Sequence, residues 1–380
     1  MKIGIPRETA EGERRVAATP ETVRKTIGMG LEVVVTAGAG NGAAIPDAAF
    51  AEAGAQIARS NAELYSTAEV IVTLQPPDDE ALSAMGTGTI LIGMLEPLER
   101  PERIQRMAAQ GITALSLELL PRITRAQSMD VLSSQSNIAG YGAVLLAATT
   151  YGKLFPMMMT AAGTIVPARV LILGAGVAGL QAIATARRLG AVVSAYDVRP
   201  EVKEQVESLG GTFLEVDTEG EAGADTGTGY AGEMSDAYKT RERDMLSAAV
   251  AKADVIITTA LIPGRPAPEL ISEEMLAGMS PGAVIVDLAA SGGGNCAATQ
   301  PGEVVEKGGV TIVGTTNLPA RWPGDSSHLF ARNVTTFIEP MIDAESGTLK
   351  VDPEDEIVSA CLLTRDGGVV HPRFSGKEEA

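Results

Sequence analysis

From Ala168 to Arg199 the chain reads ARVLILGAGVAGLQAIATARRLGAVVSAYDVR. An apolar run ends at Leu173 and passes directly into Gly174, Gly176 and Gly179, the spacing G-x-G-x-x-G. An Ala-rich segment suited to a helix follows, then a second apolar run that stops at Asp197. Alone, the glycine pattern is weak and fits a plain strand-to-helix turn. With strand, glycines, helix and acid in register, each part has a physical job. Gly174 permits the tight turn, Gly176 lets backbone approach a pyrophosphate at the helix N-terminus, and Gly179 lets helix pack closely on strand. Asp197, 18 residues beyond Gly179, stands where a carboxylate accepts hydrogen bonds from a ribose diol. Its charge repels a 2′-phosphate, which favours NAD(H) over NADP(H); the adjacent Arg199 is a residue type that accommodates that phosphate.

Outward from this stretch, short Val/Ile-rich runs alternate with helix-like segments, the pattern of βαβ units and parallel sheets. One group is KIGIP, LEVVVTAG, EVIVTL, TILIGML and ITALSLEL; a second is ARVLILG, AVVSAYD, TFLEVD, DVIITTAL, AVIVDLA and VTIVGTT. In TPETVRKTIGMG, Thr19 is placed as N-cap before Pro20 at the first helical position. Residues 134–164 read as a long helix and a connector, with Met157, Met158 and Met159 as core or interface filler. Towards the C-terminus, SSHLFARNVTTFIEPMI reads as a helix and EIVSACLLTRDGGVVH as a short hairpin. The expected fold class is α/β: two Rossmann-like, doubly wound parallel-sheet domains separated by a cleft. The expected boundaries are 1–134 plus 322–380 for an N-terminal domain completed by the C-terminal segment, and 135–321 for the NAD-binding domain.

A chain of 380 residues with 45% apolar residues is large enough for two cores. A net charge of −18 and an aromatic content of 3% speak against nucleic-acid and anionic-membrane surfaces. Cys296 and Cys361 exclude a disulfide framework and fit a reducing compartment. His328 and His371 lie far from both, so no metal-ligand spacing is present. A spanning helix needs about 20 apolar residues, and the segment Tyr141–Val166 is interrupted by Lys153 and Pro156. The opening MKIGIPRE carries no signal peptide. A soluble, cytoplasmic chain without direct membrane insertion is expected.

Three further stretches carry chemistry. TEGEAGADTGTGYAGEM is glycine-rich with Tyr230 near its tip, and reads either as a lid or as a surface insertion. TTALIPGRPAP puts Leu261 at the carboxyl edge of its sheet, where the adenine or ribose part of a cofactor packs. RITRAQSMDVLSSQ, Arg122 to Gln135, is a polar cluster without an obvious substrate. Gln127, Asp130 and Ser134 at i, i+3 and i+7 would share one helical face. Alternatively, Thr124 and Gln127 form a capping box and Asp130 is a first-turn acid. Arg125 and Ser128 stay open between structural and functional roles.

KIGIPRE…GERRVAATP and GAGVAGLQAIATARRLGA resemble the alanine dehydrogenase/transhydrogenase superfamily. Its alanine dehydrogenase branch holds a keto acid with an arginine, a lysine and a histidine. Arg15 matches the arginine, but Gln75 and Met94 stand at the other two positions. PRITRAQSMDVLSSQSN, FPMMMTAAGT, KEQVESLGG and TTALIPGRPAP instead resemble the NAD(H)-binding component of proton-translocating transhydrogenases, over essentially the whole chain and in the form of the separate soluble alpha subunit. That resemblance implies direct hydride transfer between NADH on this chain and NADP(H) on a partner subunit, coupled to proton translocation in a membrane-spanning subunit. It implies a homodimer, peripheral to the inner membrane. It places Arg122, Gln127 and Asp130, with Ile123 and Ser133, at the nicotinamide end, and Asp197 on the ribose. Tyr230, with Gly229, would close over the nucleotide. Val177, Val198 and Leu261 are taken with them as cofactor-binding. The alternative expectation is an alanine dehydrogenase-like enzyme.

Overall fold

The computed structural model describes residues 1–216, 236–343 and 346–375. They divide into two compact units, Met1–Gln135 with Pro319–Ala380, and Ser136–Leu318. The first division falls inside the helix Val131–Thr150.

The first unit opens with β1 (Lys2–Ile5), β2 (Glu32–Thr36), β3 (Gln56–Ala58), β4 (Val70–Thr73), β5 (Ile90–Gly93) and β6 (Thr113–Ser116). All pair in parallel. Successive residues of a strand point to opposite faces. Thus Val70 and Val72 join one buried cluster with Ile3, Val33 and Ile92, while Ile71 joins another with Val34, Leu91 and Ala114. Both faces being covered explains why these strands read as unbroken apolar runs. The short β3 lies outside every run picked out from the sequence, because it is a three-residue edge strand with only Ala58 buried.

In the second unit, β7 (Met158–Thr160) and β8 (Gly163–Ile165) form an antiparallel hairpin. The sheet is built from β9 (Arg169–Leu173), β10 (Val192–Tyr196), β11 (Thr212–Phe213), β12 (Val255–Thr258), β13 (Val284–Asp287), β14 (Val304–Lys307) and β15 (Val310–Gly314). Its order is β11-β10-β9-β12-β13-β15-β14, with only β14 antiparallel. The first strand, β9, has β10 on one side and β12 on the other, so the crevice between their carboxyl ends is the switch point where ligands bind in such sheets.

The chain then returns to the first unit with β16 (Ile342–Asp343), β17 (Thr348–Leu349), β18 (Leu362–Arg365) and β19 (Gly368–Val369). Strand β18 adds antiparallel to β6, giving the order β19-β18-β6-β5-β4-β1-β2-β3. Here the switch point is between β1 and β4.

Four expectations are refined or corrected. The connector that follows the long helix contains the hairpin β7–β8. Of core or interface filler, only the second is left for Met157, Met158 and Met159, which are 63%, 43% and 79% exposed. EIVSACLLTRDGGVVH begins as the helix Glu356–Cys361, capped by Asp355, and only then forms a hairpin. Thr124 is no helix cap, because Thr124–Met129 is a 3-10 helix with Ile123 before it and no side-chain cap bond. Buried Ala126 and Met129, three apart, give that tighter helix its inward face.

Candidate functional site

In the second unit the glycines behave as their spacing demands. Gly174 turns the chain with φ 97°. A Cβ on Gly179 would lie 1.9 Å from the Gly174 carbonyl oxygen, so only glycine lets the helix Val177–Arg188 sit against this turn. At Gly176, the helix N-cap, a Cβ would meet nothing within 4 Å. That open space lies at an N-terminus with no side-chain cap and no acid in its first turn, while Arg187 and Arg188 complement the other end. N–H groups that no side chain caps among the described residues, together with the positive dipole end, suit a pyrophosphate. Thr259, just past β12, was not foreseen: its hydroxyl donates to the Gly174 carbonyl at 3.0 Å and links the two loops of the switch point. A hydroxyl beside a strand end facing a glycine turn was the available signal.

The Asp197 carboxylate is enclosed. One oxygen accepts from Arg199 N at 2.9 Å and Arg199 Nε at 3.0 Å; the other accepts from Ala175 N at 2.7 Å and Arg199 Nη2 at 3.0 Å. Burial alone would raise this carboxyl, but the Arg199 guanidinium and the two backbone N–H groups outweigh it and hold it below the usual aspartate range. A ribose hydroxyl must share these positions with Arg199. Val177, which opens the helix after β9, and Val198 and Leu261, on the loops after β10 and β12, are exposed apolar residues at the carboxyl edge of three adjacent strands.

In the first unit, Arg122 and Gln127 are exposed, and among the described residues neither side chain is held by a hydrogen bond or ion pair. Ile123 is half-buried against the core. Asp130 breaks the chain between the 3-10 helix and the helix Val131–Thr150, with φ −73° and ψ 94°. Gln127, Asp130 and Ser134 therefore do not ride one continuous helix. Asp130 Oδ1 accepts from Ser133 N at 2.8 Å and Oδ2 from Ser133 Oγ at 2.6 Å, so Asp130 caps the long helix and keeps acceptor capacity to spare. Arg125 is paired with Asp355 at 2.7 and 3.0 Å, a contact that supports a structural role. Ser128 contributes its carbonyl, which accepts from Asn333 Nδ2 at 2.8 Å; Asn333 Oδ1 accepts from Ser134 Oγ at 2.7 Å. Asn333 thus holds both ends of the segment that bears Asp130, a contact 199 to 205 residues distant that no local pattern reveals. Gly229 and Tyr230 lie outside the described residues.

Arg15 is buried at 3% exposure. Its Nε donates to Glu13 at 2.8 Å, its Nη1 donates to Gln135 at 2.8 Å, and Gln75 Nε2 donates to the same Glu13 at 2.9 Å. Burial works to raise Glu13, but Arg15 and Gln75 bring it down to about 2. Beside it, Glu8 bridges β1 and β4, accepting from Leu74 N at 2.7 Å, Thr73 Oγ1 at 3.0 Å and Gln75 N at 3.2 Å. Burial pushes Glu8 up to about 7, with the charge of Glu13 adding to the rise against these hydrogen bonds. Met94 is half-buried against the core. The described residues contain no cluster of potential metal ligands and no helix long and apolar enough to cross a membrane.

Two family profiles match: Alanine dehydrogenase/PNT, N-terminal domain, over residues 4–139, and Alanine dehydrogenase/PNT, C-terminal domain, over residues 143–372. The chain is 50% identical over 382 residues to an NAD(P) transhydrogenase subunit alpha protein of Rhodospirillum rubrum, covering 99% of this chain and 100% of that one. A crystal structure of transhydrogenase from Sinorhizobium meliloti is 45% identical, with a TM-score of 0.86, covering 98% of this chain and 100% of that one. An alanine dehydrogenase from Halomonas elongata is 30% identical, covering 98% and 95%.

Proposed function

Since the chain belongs to the alanine dehydrogenase/PNT family, we propose that it is the NAD(H)-binding subunit of a proton-translocating transhydrogenase. NADH bound here supplies the hydride that NADP⁺ on a partner subunit receives. The chain's own task is to bind, orient and exclude water, which needs no acid or base at the hydride step. The Gly176 N-terminus holds the pyrophosphate, Asp197 holds the ribose with Arg199 competing for the same carboxylate, and Leu261 covers the adenosine. Asp130 accepts from the carboxamide, Arg122 approaches it or the pyrophosphate, and Gln127 addresses the second nucleotide.

The observation that carries this reading stands at the keto-acid positions. Arg15 is buried and paired with Glu13 and Gln135, Gln75 spends its amide on Glu13, and Met94 packs into the core. A small carboxylate is offered no lysine and no histidine there. The alternative, an alanine dehydrogenase-like enzyme, requires NADH turnover with pyruvate and ammonium. The exposed methionine hairpin supports a homodimer, and proton movement belongs to a membrane-spanning partner with which this chain associates from the cytoplasmic side.

The test uses stopped-flow absorbance. The isolated chain is expected to bind NADH and to leave pyruvate with ammonium unreduced. Adding an NADP⁺-loaded partner subunit should start hydride exchange; silence in that mixture, or turnover with pyruvate, would sink the proposal.

A further inference from the structure

Asp287 ends β13 fully buried and gathers the loop that follows. Its Oδ1 accepts from Thr258 Oγ1 at 2.8 Å and Ala289 N at 2.9 Å; its Oδ2 accepts from Asn295 N at 2.7 Å and Thr299 Oγ1 at 2.6 Å. The turn needs Gly294, whose φ is 89° and whose Cβ would lie 2.9 Å from Asp287 Oδ2. This arrangement delivers the side chain of Asn295, also fully buried, to the loop after β12. Asn295 Oδ1 accepts from Ala260 N at 3.0 Å, and Nδ2 donates to Ala260 O at 2.9 Å and Pro268 O at 2.8 Å. One amide thereby clamps both backbone groups of Ala260 and the far end of the segment that carries Leu261 and Ile262, which are 51% and 43% exposed.

We propose that Asn295 is a positioning residue for the dinucleotide: it orders the Ala260–Pro268 segment in advance, so that Leu261 meets the adenosine half without the entropy cost of fixing a loose loop. The proposal rests on the reading of Gly174 to Asp197 as a dinucleotide site. Ordering a segment before binding removes a cost that association otherwise meets, and an amide with all three polar contacts satisfied in a buried place is a rigid hold.

The test titrates the full-length wild type, Asn295→Ala and Leu261→Ser with NADH, with 5′-AMP, and with reduced nicotinamide mononucleotide, alongside thermal melts. Both variants are expected to weaken NADH and AMP by about tenfold and to leave the mononucleotide within about twofold. A folded Asn295→Ala with unchanged NADH affinity, or one that loses the mononucleotide equally, overturns the proposal. Should Asn295→Ala not fold, Leu261→Ser decides, since its side chain is exposed: an AMP-selective loss sustains the proposal and unchanged affinities overturn it. A wild type that binds none of the three probes refutes the underlying dinucleotide reading instead.

Discussion

Asp130 has one role in the structure, as a helix cap, and a second that is proposed, and substitution can separate them. As a cap it needs only a short side chain with an acceptor oxygen, which asparagine supplies; as the acceptor for a carboxamide it needs the carboxylate's spare lone pairs and charge. Asp130→Asn should therefore leave the melting temperature nearly unchanged and lower hydride transfer more than NADH affinity. Asp130→Ala should also cost about 1 kcal/mol of stability by thermal melting. Normal transfer rates in Asp130→Asn would remove it from the site. At Asp197, Arg199 fills acceptor positions a ribose would use. Arg199→Ala is expected to raise NADH affinity a few-fold, roughly the net worth of one hydrogen bond, without admitting NADPH; a fall in NADH titrations would make Arg199 a direct contact. Asp197 stood out by its spacing from the glycines and Asp130 only through the family resemblance, while the cap at Asp130 was not legible at all. Thr124 and Asp130 both precede a plausible helix, and burial of Ala126 and Met129, which spacing does not reveal, settles which one starts it.

The second and third glycines of the nucleotide turn make opposite predictions. Gly179→Ala drives a methyl into the Gly174 carbonyl and should cost about 1–3 kcal/mol of stability. Gly176→Ala meets open space at φ −75°, so the melt should stay while NADH binding falls. Similar behaviour of both variants would contradict these roles. The hairpin β7–β8 tests the dimer: Met158→Lys with Met159→Lys should give a monomer in sedimentation while keeping NADH affinity. Central strands were legible because both of their faces are buried and their sequence is nearly all apolar. The hairpin was not, since every residue of its two strands is exposed and its methionines answer to no core of this chain. The edge strands β3 and β14 are hidden for the related reason that they are short and mostly exposed.

At the scale of the molecule, Glu8 makes stability depend on pH. Its folded-state value, about 7, lies above the ordinary 4.5. The stabilisation is full below the unfolded value and is lost as pH rises through the folded one. Wild type should melt at a lower temperature near pH 8 than near pH 5 on this account, and Glu8→Gln should flatten that slope; an unchanged slope would place its origin elsewhere. The division into units has a different consequence, for synthesis on the ribosome. The second unit is spliced into the first between Gln135 and Pro319. Its last strand ends at Gly314, whereas β6 waits for β18, which is not made until Leu362–Arg365. The half of the protein begun first is therefore finished last. Until Arg365 has been made, one edge of its sheet stands open to whatever nascent strand is nearest, a natural point of engagement for chaperones.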